Sequence, residues 1–230
     1  MNTDYTKAEK CLKLLNNPTL KSRGVHIEDA IPEDSLLFIG INPSFNKEEP
    51  IPGQKEYCAT YQLANTANHR YFKKAYNIAM ENNNLNFGHH DLFPIRERNQ
   101  KVIENLFVDA DGKLKPKEDN ACFIEESLRW SEYTIRKACP QMIVVINAFA
   151  CRIFFDYRFR DGRSLLGFQQ GDKQLWNQEL GADFIRINER TVPILFSGML
   201  SGQRSLDNWS FNRLVWHIQH VLSNKEKWPK

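Results

Sequence analysis

Asn42 stands where an apolar run meets a rigid turn, in Phe38-Ile39-Gly40-Ile41-Asn42-Pro43-Ser44. Proline at 43 stiffens the turn and biases Asn42 toward extended backbone. Its amide is therefore set either to meet a ligand or a water, or to satisfy the backbone of its own turn. His89-His90 is the densest concentration of metal-type donors, but adjacent residues of a strand point to opposite faces, so at most one is expected to enter a common site. His217 and His220, at i and i+3, lack a third ligand. The cysteines Cys11, Cys58, Cys122, Cys139 and Cys151 are scattered, with no C-x-x-C pair, which argues against a disulfide scaffold, a zinc ribbon or an iron–sulfur cradle. The chain has no G-x-S-x-G nucleophile elbow, which weakens a small-molecule α/β hydrolase. The expectation is chemistry without metal or cofactor.

These residues need elements to hold them together. Ser35 to Ile41 is a continuous apolar run of strand length, the pattern of a strand buried on both faces. After it, a stretch with Pro50, Pro52 and Gly53 reads as a long loop, and loops of that kind are commonly functional. Phe72, Ala75, Tyr76, Ala79 and Met80 then mark a helix packed on a core. His90 to Ile95 reads as a second strand, followed by a helix with Val102, Ile103, Leu106 and Phe107. Beyond the polar excursion Asp109 to Asp119 comes a long helix to about Ala138, a buried strand at Met142 to Ile146 and a short helix at Ala148 to Phe155. Asp183 to Ile187 and Val192 to Phe196 are strand candidates around a polar turn, and Ser205 is the expected N-cap of a closing helix.

Strands alternating with helices imply a parallel sheet covered on both faces. Open sheets of this kind bind ligands beyond the carboxyl ends of their strands, so the loops after Ile41, Phe93, Ile146 and Phe196 should share one rim. With 230 residues, 41% of them hydrophobic, the chain suits one domain, 1–230. It has no apolar run of membrane-spanning length, and MNTDYTKAEK lacks the apolar core of a signal peptide, so a cytoplasmic protein without a membrane partner is expected. The net charge of +3 is uninformative as a total. Its distribution says more: residues 65–101 and 198–230 carry +3 each, leaving −3 elsewhere.

Gly40-Ile41-Asn42-Pro43 resembles the first motif of the uracil-DNA glycosylase superfamily, in its mismatch-specific uracil/thymine branch. Three further segments are similar to that family in the same order. They are Ala67-Asn68-His69-Arg70-Tyr71-Phe72-Lys73, His90-Asp91-Leu92-Phe93-Pro94, and Ser197-Gly198-Met199-Leu200-Ser201 with Ser205-Leu206. The strand at Met142 to Ile146 with Ala148 matches the penultimate strand and helix, so the resemblance spans about residues 35–222. It implies a three-layer α/β/α sandwich around a central, mainly parallel four-stranded sheet. It further implies a monofunctional, monomeric DNA glycosylase that flips a base from single- or double-stranded DNA and hydrolyses its N-glycosidic bond.

On this resemblance Asn42 orients the attacking water, and Asp91 stands where the base edge is read. Asn68, Ser197, Leu200, Ser201 and Arg204 contact DNA, with Leu200 entering the minor groove. Tyr57, Tyr61 and Phe45 in the long loop are candidates to stack on the flipped base, or alternatively to pin the loop to the core. Two departures bear on the chemistry. Phe196 stands where the last motif has His or Asn, so it is expected to line the base pocket with Asp91, but it cannot donate to a leaving oxygen. Asp91 replaces an Asn amide, and an ionised carboxylate accepts from the amino group of a cytosine-type base but repels uracil's O4. The alternatives for Asp91 are a helix cap or a pair with Arg96 or Arg98. Both departures leave open a non-catalytic nucleic-acid or nucleotide-binding module on the same fold.

Overall fold

The computed structural model of the chain describes residues 3–28, 30–45, 58–61, 70–82, 85–108, 112–114, 117–202 and 205–230. Its centre is a six-stranded sheet in an α/β fold. In chain order the strands are β1 (Val25–Glu28), β2 (Leu36–Gly40), β3 (Cys58–Tyr61), β4 (Phe87–Asp91), β5 (Met142–Val145), β6 (Trp176–Asn177), β7 (Ala182–Ile187) and β8 (Arg190–Phe196). The helices are α1 (Thr3–Leu14), α2 (Pro18–Lys21), α3 (Lys73–Glu81), α4 (Gln100–Phe107), α5 (Glu118–Ala138), α6 (Ala148–Asp156) and α7 (Asn208–Ser223).

The sheet order is β4-β2-β5-β8-β7-β6. The first four strands run parallel, whereas β7 and β6 continue the sheet antiparallel, so the expectation of a mainly parallel four-stranded sheet is corrected to a mixed sheet of six. The reason is local. Only Asn188 and Glu189 separate β7 from β8, and a two-residue connection can join only antiparallel neighbours. A second, two-stranded sheet pairs β1 with β3 in parallel and lies outside the sequence expectation altogether.

Alternation along the central strands divides the core between the two faces. Leu37, Ile39, Ile143 and Val145 pack with residues of α1, α4, α5 and α6. Leu36, Phe38, Met142 and Val144 pack with residues of α3 and α7. Capping fixes where the helices begin: the side chains of Asn99, Asn147 and Asp207 accept from the first-turn amides of α4, α6 and α7. The cap of α7 is thus Asp207 and not Ser205, because Ser205 bridges Met199 and Leu206 N donates to Met199 O, which holds 205–206 in the preceding loop. Among the described residues no helix is long and apolar enough to cross a membrane.

Candidate functional site

The edge strand β4 lies beside β2 with Asp91 opposite Gly40. A Cβ at position 40 would stand 2.3 Å from Asp91 Oδ1, so glycine is what lets the aspartate side chain lie over the neighbouring strand. Beyond the strand ends the two chains stay in step, with Phe93 N donating to Ile41 O at 3.0 Å and Glu97 N to Pro43 O at 3.0 Å. Asn42 stitches the same two segments. Its Nδ2 donates to Pro43 O at 2.9 Å and to Glu97 O at 2.8 Å. Both amide protons therefore serve backbone carbonyls of the rim, the turn-satisfying role. Oδ1 takes no bond from any described residue and retains its capacity to accept one, for example from a water.

Glu28, at the end of β1, organises the groups beside Asp91. Its Oε1 lies 3.3 Å from His89 Nδ1 and its Oε2 lies 3.3 Å from His90 Nδ1. The two histidines do point to opposite faces, His89 toward Phe72 at 4.8 Å and His90 toward Trp130 of α5 at 4.9 Å. Only His89 joins Glu28 and Asp91 in the cluster of ligand atoms, yet His90 reaches the same carboxylate from the other face. Because β4 is the edge strand, a carboxylate lying beyond its edge meets one ring nitrogen from each face.

Proton counting extends the chain of contacts. Ser131 Oγ donates its single proton to Leu92 O at 2.9 Å, so the 2.9 Å contact between His90 Nε2 and Ser131 Oγ uses a proton on the imidazole. His90 is thereby anchored at one nitrogen and meets Glu28 with the other.

Burial alone would raise the pKa of Glu28, but hydrogen bonds from the two imidazoles hold it well below the ordinary carboxyl range. Burial alone would lower that of His89, and Asp91 and Glu28 together overcome this and raise it. Asp91 itself is pushed up to about 6 by burial, against the opposing charge of His89. A buried carboxyl group whose pKa is raised at a strand end can serve as an acid–base or recognition group, and buried ion-pair networks raise it in the same way. Asp91 takes its charged neighbours from this cluster. The expected alternatives, Arg96 and Arg98, lie elsewhere: the Arg96 guanidinium sits over Phe45 and Arg98 is exposed.

Phe45 is gripped by two cations, with the Arg23 guanidinium 4.7 Å and that of Arg96 5.3 Å from its ring centroid. Arg23 also pairs with Glu97, so this stacking candidate works as a clasp on the rim. Tyr61 is placed by its backbone alone, opposite Glu28 in the β1–β3 pair. Tyr57, Asn68 and Arg204 lie outside the described residues.

At the far end of the rim two expectations are corrected. Phe196 packs in an aromatic cluster with Phe155 at 4.6 Å, Phe168 at 4.9 Å and Phe154 at 5.7 Å. It faces the α6 side, like Ile194, while Asp91 shares by strand parity the α3 side with Phe87 and His89. β4 and β8 are three strand spacings apart, about 14 Å. Phe196 and Asp91 therefore do not line one pocket. Leu200, expected to enter a groove, is 2% exposed and belongs to the core under α7, since Leu206 N bonding to Met199 O folds the loop inward. Ser197 N continues the ladder to Val145 O at 2.8 Å, and Ser201 is half-buried in the loop.

Glu28 and Ser131 are the members that sequence reasoning missed. Neither belongs to a motif, and both acquire meaning only through the doublet they meet. Ligand atoms of Glu28, His89 and Asp91 lie within 4.8 Å of one another, a set able to hold a cation among the described residues. The helix histidines are otherwise engaged, His217 Nε2 with Leu180 O at 2.8 Å and His220 stacked on Trp216. No protein-family model matches this chain, and no curated protein matches it.

Proposed function

We propose that this chain is a DNA glycosylase of the uracil-DNA glycosylase type, a three-layer α/β/α sandwich that hydrolyses the N-glycosidic bond of a base flipped from DNA. One observation carries the reading. Four of the five segments on which the resemblance rests run out from the carboxyl ends of four adjacent parallel strands: Ile41-Asn42-Pro43 after β2, Leu92-Phe93-Pro94 after β4, Asn147-Ala148 after β5 and Ser197-Gly198 after β8. That edge is where open α/β sheets hold their ligands.

In this reading Asn42 Oδ1 accepts from the attacking water. The oxygen of that water bonds to the sugar carbon as the carbon–nitrogen bond breaks, and the electron pair leaves with the base. Asn42 cannot take the water's proton, which passes to solvent while the departing base anion takes up a proton from solvent, so the enzyme is slow and depends on a base that leaves well. Asp91, as a carboxylate, accepts from an amino group on the base edge and so favours cytosine-type bases over uracil. The test is base release from single- and double-stranded oligonucleotides carrying uracil, G·T mismatches or modified cytosines. Release that is lost in Asn42→Ala supports the assignment, and no release from any substrate overturns it.

A non-catalytic nucleic-acid-binding module is the second reading. Phe196 and Leu200 favour it, because both are packed inward where the resemblance expects them to face the substrate. Salt-sensitive binding without turnover is its signature.

A further inference from the structure

Two carboxylates converge on one imidazole at the open edge of the sheet, in a place where each group is buried: His89 is fully so, and Glu28 and Asp91 are 8% and 7% exposed. We propose that Glu28, His89 and Asp91 form a binding site for one divalent transition ion of the zinc or manganese type. The proposal goes beyond the glycosylase reading, which needs no ion.

Charge is the first reason. Buried anions need positive charge among them. Protons on the two imidazoles can meet the two carboxylates, and one divalent ion, with two units of charge at a single point between Glu28 and Asp91, does so in their place. Spacing is the second. Glu28 Oε1 and His89 Nδ1 are 3.3 Å apart, longer than the roughly 2.7–2.9 Å of a charge-assisted hydrogen bond. Two ligands at roughly 2.0–2.1 Å from a tetrahedral ion stand roughly 3.3 Å from each other. The widest separation within the triad is at most 4.8 Å, and binding draws it in by up to roughly 1.5 Å.

The surroundings are built as a metal site requires. The second oxygen of Glu28 is held by His90, which is anchored on Ser131, which is anchored on Leu92 O, so the ligand carboxylate is oriented from behind. Gly40 keeps the floor clear, since a Cβ there would lie 2.3 Å from Asp91 Oδ1 and 3.4 Å from His89 Nε2. Imidazole with two carboxylates and no thiolate suits zinc, manganese or iron(II), and three protein ligands leave a position for water. An ion held there keeps Asp91 an acceptor, which in the glycosylase reading selects a base edge with an amino group.

The test uses the full chain without an affinity tag, dialysed against EDTA, freed of the chelator and titrated calorimetrically with zinc and with manganese. Cobalt(II) titrated into a parallel sample is followed by visible absorption and by proton NMR. One ion per chain at micromolar or tighter affinity is expected, with paramagnetically shifted imidazole signals in the cobalt-loaded wild type. His89→Ala and Asp91→Ala, checked for folding by circular dichroism, should weaken binding at least roughly 10–100-fold. The proposal is overturned if the wild type binds no ion saturably, if no imidazole signal shifts with cobalt, or if the folded variants bind as the wild type does. Base release is no readout in these experiments, so failure here and failure of the glycosylase reading are separate results.

Discussion

The two ends of the carboxyl edge are built on opposite principles. Around β4 and β2 the edge is polar and buried: Glu28 meets His89 and His90 from the two faces of the sheet, Asp91 lies with Glu28 and His89, and Asn42 ties the adjoining loops. Around β8 it is apolar, with Phe196 in an aromatic cluster and Leu200 in the core. A buried charge must be met by another charge or a hydrogen bond, which fixes its geometry, while an apolar contact tolerates displacement. The difference teaches that reactive groups on this rim concentrate at the β4 end, and that the β8 end contributes chiefly packing.

The largest effect should come from Glu28→Ala, which leaves two buried imidazoles without their shared carboxylate and should cost about 3–5 kcal/mol, read by urea unfolding. The same carboxylate makes an acid-side prediction. Its folded pKa is depressed below the ordinary 4.5, so its stabilisation is present above that pH and is lost as the pH falls further. With chelator present, Glu28→Gln should flatten that acid limb. A cost under about 1 kcal/mol for Glu28→Ala would erase the contrast between the two ends.

Leu200→Ala probes the other end and should cost about 2–5 kcal/mol of stability, with DNA affinity unchanged under conditions where the variant is folded. A selective loss of DNA binding with stability intact would restore the leucine to the groove. Gly40→Ala forces a methyl group against Asp91 and should cost about 1–3 kcal/mol in thermal unfolding. The smallest stability change belongs to Asn42→Ala. It removes two hydrogen bonds to carbonyls and should cost about 1–3 kcal/mol, toward the lower end because the residue is half-buried. Base release should suffer far more than stability in that variant, and equal losses would make Asn42 a turn residue only.

The central strands β2 and β5 were legible because both of their faces are apolar, and α3 and α7 because their stripes repeat at helical spacing. The second strand is a partial success. Its apolar tail Leu92 to Ile95 suggested His90 to Ile95, whereas the strand is Phe87–Asp91. A polar His-His-Asp run does not look like a buried strand until its partners are known. The pairing of β1 with β3 left no periodic trace in two short segments. Asn42 and Asp91 could be found from strand-end logic, but Glu28 could not, because its meaning rests on residues more than sixty positions away.

Local features can be read along the chain: where apolar runs make strands and helices, where a proline stiffens a strand exit, and which residue types stand at those exits. Hydrophobic periodicity and backbone restriction act over a few residues. Which polar groups meet was settled by tertiary packing. It brought Glu28 to both histidines, laid Asp91 over Gly40 and turned Phe196 and Leu200 inward. The physical reason is that burying a charge is tolerable only with a partner, and the fold alone supplies partners from distant parts of the chain.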